Sequence, residues 1–73
     1  MEYNNIEHRI RIGHRIAELR KGKGITIVEM TEKTGLKKST IWRVETGKFP
    51  PTLDTLTKIA DVLGCRIEVV ENN

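Results

Sequence analysis

Seventy-three residues with a net charge of +3 make a single domain over residues 1–73, which buries only about 60% of the surface that its unfolded chain exposes. Cys65 is the only cysteine, so an internal disulfide and a zinc cage are excluded, and association with a second copy remains as a way to stabilise so small a core. A single thiol is typical of a reducing compartment. No apolar run approaches the roughly 20 residues that cross a bilayer, and the N-terminus lacks the apolar stretch of a secretory signal. We therefore expect a soluble, cytoplasmic protein with no membrane association.

The first predicted element is a helix over about residues 6–21. Ile12, Ile16 and Leu19 recur at the spacing of one helical face, and Ile6 and Ile10 extend that face backward. Asn5 stands in the position of an N-cap for this extension. The run Lys-Gly-Lys-Gly at 21–24 ends the helix, because glycine readily adopts a left-handed cap conformation.

Two short helices follow, over about residues 27–34 and 38–46. Thr26 and Glu29 have the spacing of a capping box, in which the hydroxyl bonds an amide and the carboxylate reaches back. Gly35 ends the first of these helices after two turns. Gly47 ends the second.

A fourth helix is predicted over about residues 53–63, after the stiff connector Phe49-Pro50-Pro51. Thr52 is its predicted N-cap, and Gly64 ends it. Five apolar residues recur on its predicted buried side: Leu53, Leu56, Ile59, Ala60 and Leu63.

The last segment changes period and predicts a β-strand over about residues 65–70, or 65–71 at its longest. Apolar and charged residues alternate from Cys65 to Val69, and Ile67, Val69 and Val70 are β-branched. A single strand cannot satisfy its own backbone, and nothing else in the chain reads as its partner. We favour antiparallel pairing with the same strand of a second subunit about a two-fold axis. Docking on the chain's own helices, or on a different protein, is the alternative.

The charge is unevenly distributed along the chain. Residues 1–50 carry eleven Lys and Arg against six Glu, whereas residues 51–73 carry two against four acidic residues. A basic half that faces a polyanion is one interpretation, and ordinary solvated surface is the other.

The third helix has a polar outward face. At 100° per residue, Ile41 and Val44 point inward together. The opposite face carries mainly polar side chains: Ser39, Trp42, Arg43 and Thr46, with Lys38 at its edge. Such side chains offer the donors that guanine edges and phosphates accept.

The segment TIVEMTEKTGLKKSTIWRVETGK at 26–48 closely resembles the helix-turn-helix of the Xre/Cro family, which includes the phage repressors. IGHRIAELRKGKGIT at 12–26 is similar to the family's first helix and turn, and PPTLDTLTKIADVLG at 50–64 to its fourth helix. The resemblance implies a mainly α, four-helix, repressor-like domain that binds double-stranded DNA. With the terminal strand paired across a homodimer, this is the predicted fold.

The resemblance also implies roles for individual residues. Base reading is carried over to Lys38, Ser39 and Arg43, and phosphate contact to Thr26. Arg43 can bond a guanine in a fork or contact a phosphate, and both interpretations stay open. The Thr26 cap and a phosphate contact can coexist.

Further positions complete the predicted interface. Lys37, Thr46 and Lys48 lie at the edges of the motif, where the duplex backbone should pass. Trp42 either contacts a thymine methyl or the sugar-phosphate edge, or lies flat over the aliphatic stem of Lys38 or Arg43.

The family pairs an arginine and a glutamate at the positions of Arg20 and Glu45. We carry this pair over as a salt bridge that locks the first helix to the recognition helix. Its role is structural, and it reads no DNA.

The chain departs from the family pattern at three positions. Ile27 and Val28 replace polar residues at the mouth of the anion site, and we expect them to pack on the N-terminal extension around Ile6 and Ile10. A protein-binding patch is the alternative. Thr31 stands where alanine is usual at the tight helix crossing, so slightly wider packing is expected there.

The leading hypothesis is a dimeric, sequence-specific transcriptional regulator, either a repressor or an autoregulator. The ending LGCRIEVV resembles antitoxins of this family, so an antitoxin that also binds its operator and holds a toxin protein is the first alternative. A protein-interaction module that has lost DNA binding, with Ile27, Val28 and Trp42 as its docking face, is the second. No enzyme, cofactor or metal site is predicted, because the chain offers no catalytic set and lacks the phosphate-loop spacing.

Overall fold

The computed structural model describes residues 5–72, which form four α-helices connected by short turns. They are α1 (Ile6–Gly22), α2 (Ile27–Thr34), α3 (Lys38–Thr46) and α4 (Leu53–Val62). Each lies within one residue of its predicted bounds. None of these helices is long and apolar enough to cross a membrane.

The helix starts follow from local capping. The Thr26 hydroxyl accepts from the Glu29 amide at 3.1 Å, and the Thr26 amide donates to the Glu29 carboxylate at 3.2 Å, so the predicted capping box forms. Thr52 accepts from the Thr55 amide at 3.1 Å and caps α4 in the same way. Asn5 occupies the N-cap position of α1, but its side chain makes no capping hydrogen bond.

The core lies where α3 meets its neighbours. α3 packs against α1 and α2, and α4 packs against α2. The largest fully buried side chains come from α2, α3, α4 and the residue after α4: Met30, Ile41, Ile59 and Leu63. The prediction that Leu53 lies on the buried side of α4 is wrong: it is 64% exposed, because α4 enters the core only further along, where Ile59 and Ala60 are buried.

Gly13 sets how closely α1 approaches α3. A Cβ at this buried position would overlap the carbonyl oxygen of Val44 and lie 2.9 Å from that of Glu45. Both obstacles are backbone atoms, which cannot swing aside. Glycine at position 13 therefore lets the two helix backbones touch.

The predicted strand is absent from the described residues, and this corrects the sequence-based expectation. Residues 65–72 carry no regular secondary structure. The Cys65 amide donates to the Ala60 carbonyl at 2.8 Å, and the Cys65 side chain packs against the core. Beyond it, Val69 is 100% and Val70 74% exposed. A strand needs a second strand for its backbone groups, and residues 5–72 supply none.

The expected packing of Ile27 and Val28 on the N-terminal extension is also wrong. Ile27 packs against the core and Val28 stays exposed. Ile10 lies instead against Gly47 at the end of α3. The reason is that α1 packs mainly against α3, and near its start Ile10 lies against the end of that helix.

Gly13→Ala should lower the free energy of unfolding by about 1–3 kcal/mol, because the added methyl meets unyielding backbone. Gly22→Ala is the matched control: nothing lies within 4 Å of its added Cβ, and its φ is not positive. Alanine there should leave stability unchanged or raise it by up to about 1 kcal/mol. Urea denaturation measures both. Equal effects of the two substitutions would contradict the close approach of α1 and α3.

Candidate nucleic-acid interface

α3 presents a largely polar face to solvent because its aliphatic residues are buried. Ile41 and Val44 lie in the core, and on the opposite side the side chains of Lys38, Ser39 and Arg43 are exposed. Trp42 is half exposed on the same side, and Thr46 is half-buried. The structure thus brings the three residues of the predicted base-reading set, together with Trp42, onto one accessible helix face.

A buried ion pair holds α3 to α1. The Arg20 Nε donates to the Glu45 Oε2 at 2.7 Å, and Nη2 donates to Oε1 at 3.0 Å. The two side chains are 8% and 9% exposed. A third donor, Nη1, bonds the Ile25 carbonyl at 2.8 Å and so ties in the turn before α2.

The contact with Glu45 favours the charged form of Arg20. The hydrogen bond from Arg20 to Glu45 raises the pKa of Arg20 above its usual value, outweighing the opposite effect of burial. The bidentate geometry also fixes the rotation of α3 about its own axis, because a fork-to-fork contact tolerates little displacement. The face that carries Arg43 is therefore set by a contact on the opposite side of α3.

Arg43 stacks on a residue that the sequence interpretation did not single out. Its guanidinium carbon lies 5.1 Å from the ring centroid of Phe49, a cation–π contact. Phe49 is exposed in the connector between α3 and α4. The available signal was the position of this ring beside Pro50 and Pro51, which restrict the connector that carries it.

The predicted phosphate-contact residues differ in what they can still bind. Lys37 and Lys48 are exposed at the two ends of α3. The Thr26 hydroxyl is engaged with Glu29. The Thr46 hydroxyl donates to the Trp42 carbonyl at 2.9 Å, so it would have to rotate before donating to a phosphate.

The site supplies donors and no reactive set. Among residues 5–72, no group of three or more His, Cys, Asp or Glu side chains is arranged to hold a metal ion. The face of α3 combines ammonium, guanidinium and hydroxyl groups with an aromatic ring. The chemistry of such a surface complements an anionic partner that accepts hydrogen bonds.

Comparisons with known proteins agree with this geometry. Residues 16–70 match the helix-turn-helix family HTH_3. The chain is 43% identical over 54 residues to an uncharacterized HTH-type transcriptional regulator of Archaeoglobus fulgidus, covering 74% of this chain and 77% of that protein. It is 32% identical over 59 residues to the immunity repressor protein of Bacillus phage phi105, covering 81% of this chain. The chain spans 41% of the length of that repressor.

A solved structure shares the fold. The restriction-modification controller protein C.AhdI from Aeromonas hydrophila superposes with a TM-score of 0.77 at 28% sequence identity. The match covers 82% of this chain and 91% of that one.

Breaking the ion pair should destabilise the domain more than removing it altogether. Arg20→Met or Glu45→Met alone leaves an uncompensated buried charge, which costs about 3–5 kcal/mol of the free energy of unfolding. The Arg20→Met/Glu45→Met double variant should be more stable than either single variant. Urea denaturation of the three variants measures the coupling. If the single variants are unfolded in buffer, a folded double variant also demonstrates the coupling. If the double variant loses the sum of the unfolding free energies that the single variants lose, the pairing is refuted.

Proposed function

This chain belongs to the HTH_3 helix-turn-helix family of DNA-binding transcriptional regulators, which are not enzymes, and we propose that it is a homodimeric repressor that binds a specific operator. Occupying the operator would exclude polymerase, so repression requires no chemistry. Its own promoter is the first expected target, which would make it an autoregulator.

The observation that carries the proposal is the exposed face of α3, held in place by the Arg20–Glu45 pair. An α-helix fits the major groove, and the residues near its N-terminus reach base edges. Lys38 and Ser39 lie in the first turn of α3. Arg43 lies one turn further along, and its fork matches the two acceptors of guanine.

Phosphate contacts are proposed at the margins of this face. The Lys37 and Lys48 ammonium groups would meet the two strands that border the groove, and Thr46 would reach the same backbone after its hydroxyl rotates. Thr26 caps α2, and the amides of the first turn of α2 point toward that end, where they would favour a phosphate.

The proposed dimer forms through the tail, residues 65–71. Beyond Cys65, its exposed apolar side chains and its backbone groups favour antiparallel pairing with the same segment of a second copy. The proposed strand contact involves Cys65, Ile67, Val69 and Val70. Two recognition helices would then enter successive major grooves about 34–36 Å apart.

The relatives support a regulatory role over the alternatives. One is named an immunity repressor and another a restriction-modification controller protein. The protein-interaction alternative needs Ile27, Val28 and Trp42 on one exposed apolar face, and Ile27 packs against the core. No contact among residues 5–72 favours a toxin partner over a second copy.

Arg43→Ala and Lys48→Ala should affect DNA binding differently. Loss of Arg43 should reduce the difference in binding free energy between operator and scrambled DNA by about 1–3 kcal/mol, because a base contact is removed. Loss of Lys48 should weaken both by the same factor and make the salt slope shallower by about 0.9, because one phosphate is no longer neutralised. Fluorescence anisotropy with DNA from upstream of the coding region, over a salt series, measures both.

Lys58→Ala serves as the control, because Lys58 is an exposed lysine of α4 and is not among the proposed DNA-contact residues. It should change affinity least of the three. Affinity of the unmodified chain that does not depend on salt would contradict DNA binding. If Arg43→Ala and Lys48→Ala reduced the preference for operator over scrambled DNA equally, the proposed roles of the two residues would be contradicted.

Phe49→Leu should weaken operator binding about two- to fivefold, because an exposed cation–π contact contributes about 0.5–1 kcal/mol to holding the guanidinium in place. Phe49→Trp should retain the affinity. In the Arg43→Ala background, Phe49→Leu should have no further effect, which separates positioning of Arg43 from direct contact of the ring with DNA. Anisotropy titrations of the four variants test this.

A further inference from the structure

An apolar groove of about 430 Å³ lies between α1, α4 and the start of the tail. Its floor includes Ile16, Leu19, Leu56 and Leu63. This groove shares no residue with the exposed face of α3 that the proposed DNA contact uses. An apolar surface is therefore left open on a side of the domain that DNA recognition does not require.

The rim of the groove is cationic. Arg11 and Arg15 border it from α1, and Arg66 borders it from the tail. Arg15 pairs with Glu18, but both side chains are largely exposed, at 64% and 69%, so this pair is worth little and can be exchanged for another. A matching occupant carries apolar side chains beside a carboxylate.

The tail itself has this composition. Cys65 and Ile67 line the groove of their own chain. On a strand, alternate residues share a face, so the face that begins with Cys65 and Ile67 continues with Val69 and Glu71. Those two residues lie beyond the groove of their own chain: Val69 is 100% exposed, and Glu71 is exposed as well.

We propose that the groove is the docking site for the tail of a second copy, with Val69 of the partner subunit on the apolar floor and Glu71 of the partner subunit against Arg11 and Arg15. This inference rests on the proposed homodimer and adds to it the surface on which the paired tails pack. It also supplies what a two-stranded ribbon needs, since such a ribbon is marginal until one face packs on helices.

The strand geometry supports this placement. Residues that stand opposite one another in an antiparallel pair point to the same face. Pairing Ile67 with Val69 of the partner subunit places both side chains over the same groove, and it places Glu71 of the partner subunit beside Cys65. The two-fold axis repeats these contacts, so each copy both offers a tail and receives one.

Intrachain docking is opposed by the start of the tail. The hydrogen bond from the Cys65 amide to the Ala60 carbonyl, at 2.8 Å, fixes where the tail leaves α4. From there Ile67 reaches the groove, and two residues later the chain has left it. A second copy approaches the groove without that restriction.

Val69→Ser and Val70→Ser form a matched pair that tests the apolar contact in the full chain. Both residues are exposed in the single chain, and they point to opposite faces of a strand. Val69→Ser should raise the dimer dissociation constant about a hundredfold, since about tenfold is lost at each of two symmetric sites. Val70→Ser should raise it less than about threefold, because its side chain faces solvent. Sedimentation equilibrium measures the constants, and thermal unfolding of the monomer checks that the fold is intact.

A charge exchange tests the polar contact. Arg15→Glu should weaken the dimer, and adding Glu71→Lys to it should restore the dimer. Adding Glu68→Lys should not restore it, because Glu68 lies on the other strand face. Glu68 pairs with Arg66 at 2.6 Å, but both side chains are exposed, at 50% and 85%, so losing this pair alone should have little effect. The two lysine substitutions change the net charge equally, so a general charge effect would rescue both.

The outcomes separate this inference from the proposed function. Two results would overturn the docking site: equal responses of a stable dimer to Val69→Ser and Val70→Ser, or no effect of either charge exchange on the dimer. The proposal of a dimeric regulator would remain in both cases. A chain that stays monomeric at all concentrations overturns both the docking site and the dimer. The anisotropy titrations then report DNA binding independently.

Discussion

The buried ion pair between Arg20 and Glu45 is the contact on which the orientation of α3 depends. Its hydrogen bonds at 2.7 and 3.0 Å join α1 to the side of α3 that faces away from solvent, and the third donor of Arg20 ties in the turn before α2. Burying two charges costs several kcal/mol per ion, so the pair adds little net stability over an apolar replacement. Its consequence is geometric: a fork-to-fork contact selects one rotation of α3, and that rotation points Arg43 outward.

Close backbone packing reinforces the same constraint. Gly13 lets α1 touch the carbonyls of Val44 and Glu45, next to the ion pair itself. At the end of α3, Gly47 has a φ of 72° and lies against the backbone of Ile10. A side chain at either position would push α1 and α3 apart. These two close backbone contacts between α1 and α3 supplement the small hydrophobic core. They also restrict how far the exposed face of α3 can move relative to α1.

The proposed DNA contact and the proposed docking site use different surfaces of the domain. The face of α3 carries hydroxyl, ammonium and guanidinium groups suited to a duplex, with Phe49 holding the Arg43 guanidinium at 5.1 Å. The groove between α1 and α4 is apolar with an arginine rim, and it suits the acidic, β-branched tail of a second copy. Because the two surfaces are separate, the proposed dimer and the proposed DNA contact are sterically compatible, and a two-fold operator would require both together.

Local features of the sequence determined the four helices, the capping of α2 by Thr26 and Glu29, and the outward position of Ser39 and Arg43, because helical periodicity and end caps act over a few residues. Family resemblance supplied the pairing of Arg20 with Glu45. The stack of Arg43 on Phe49 and the close approach at Gly13 were decided by tertiary structure, since each joins elements whose separation no local pattern encodes. The segment from Cys65 to Val70 shows the boundary most clearly: its alternation predicts a strand, yet residues 65–72 form none in the single chain. A strand is completed by backbone hydrogen bonds to another strand, and a sequence can specify the alternation without supplying that second strand.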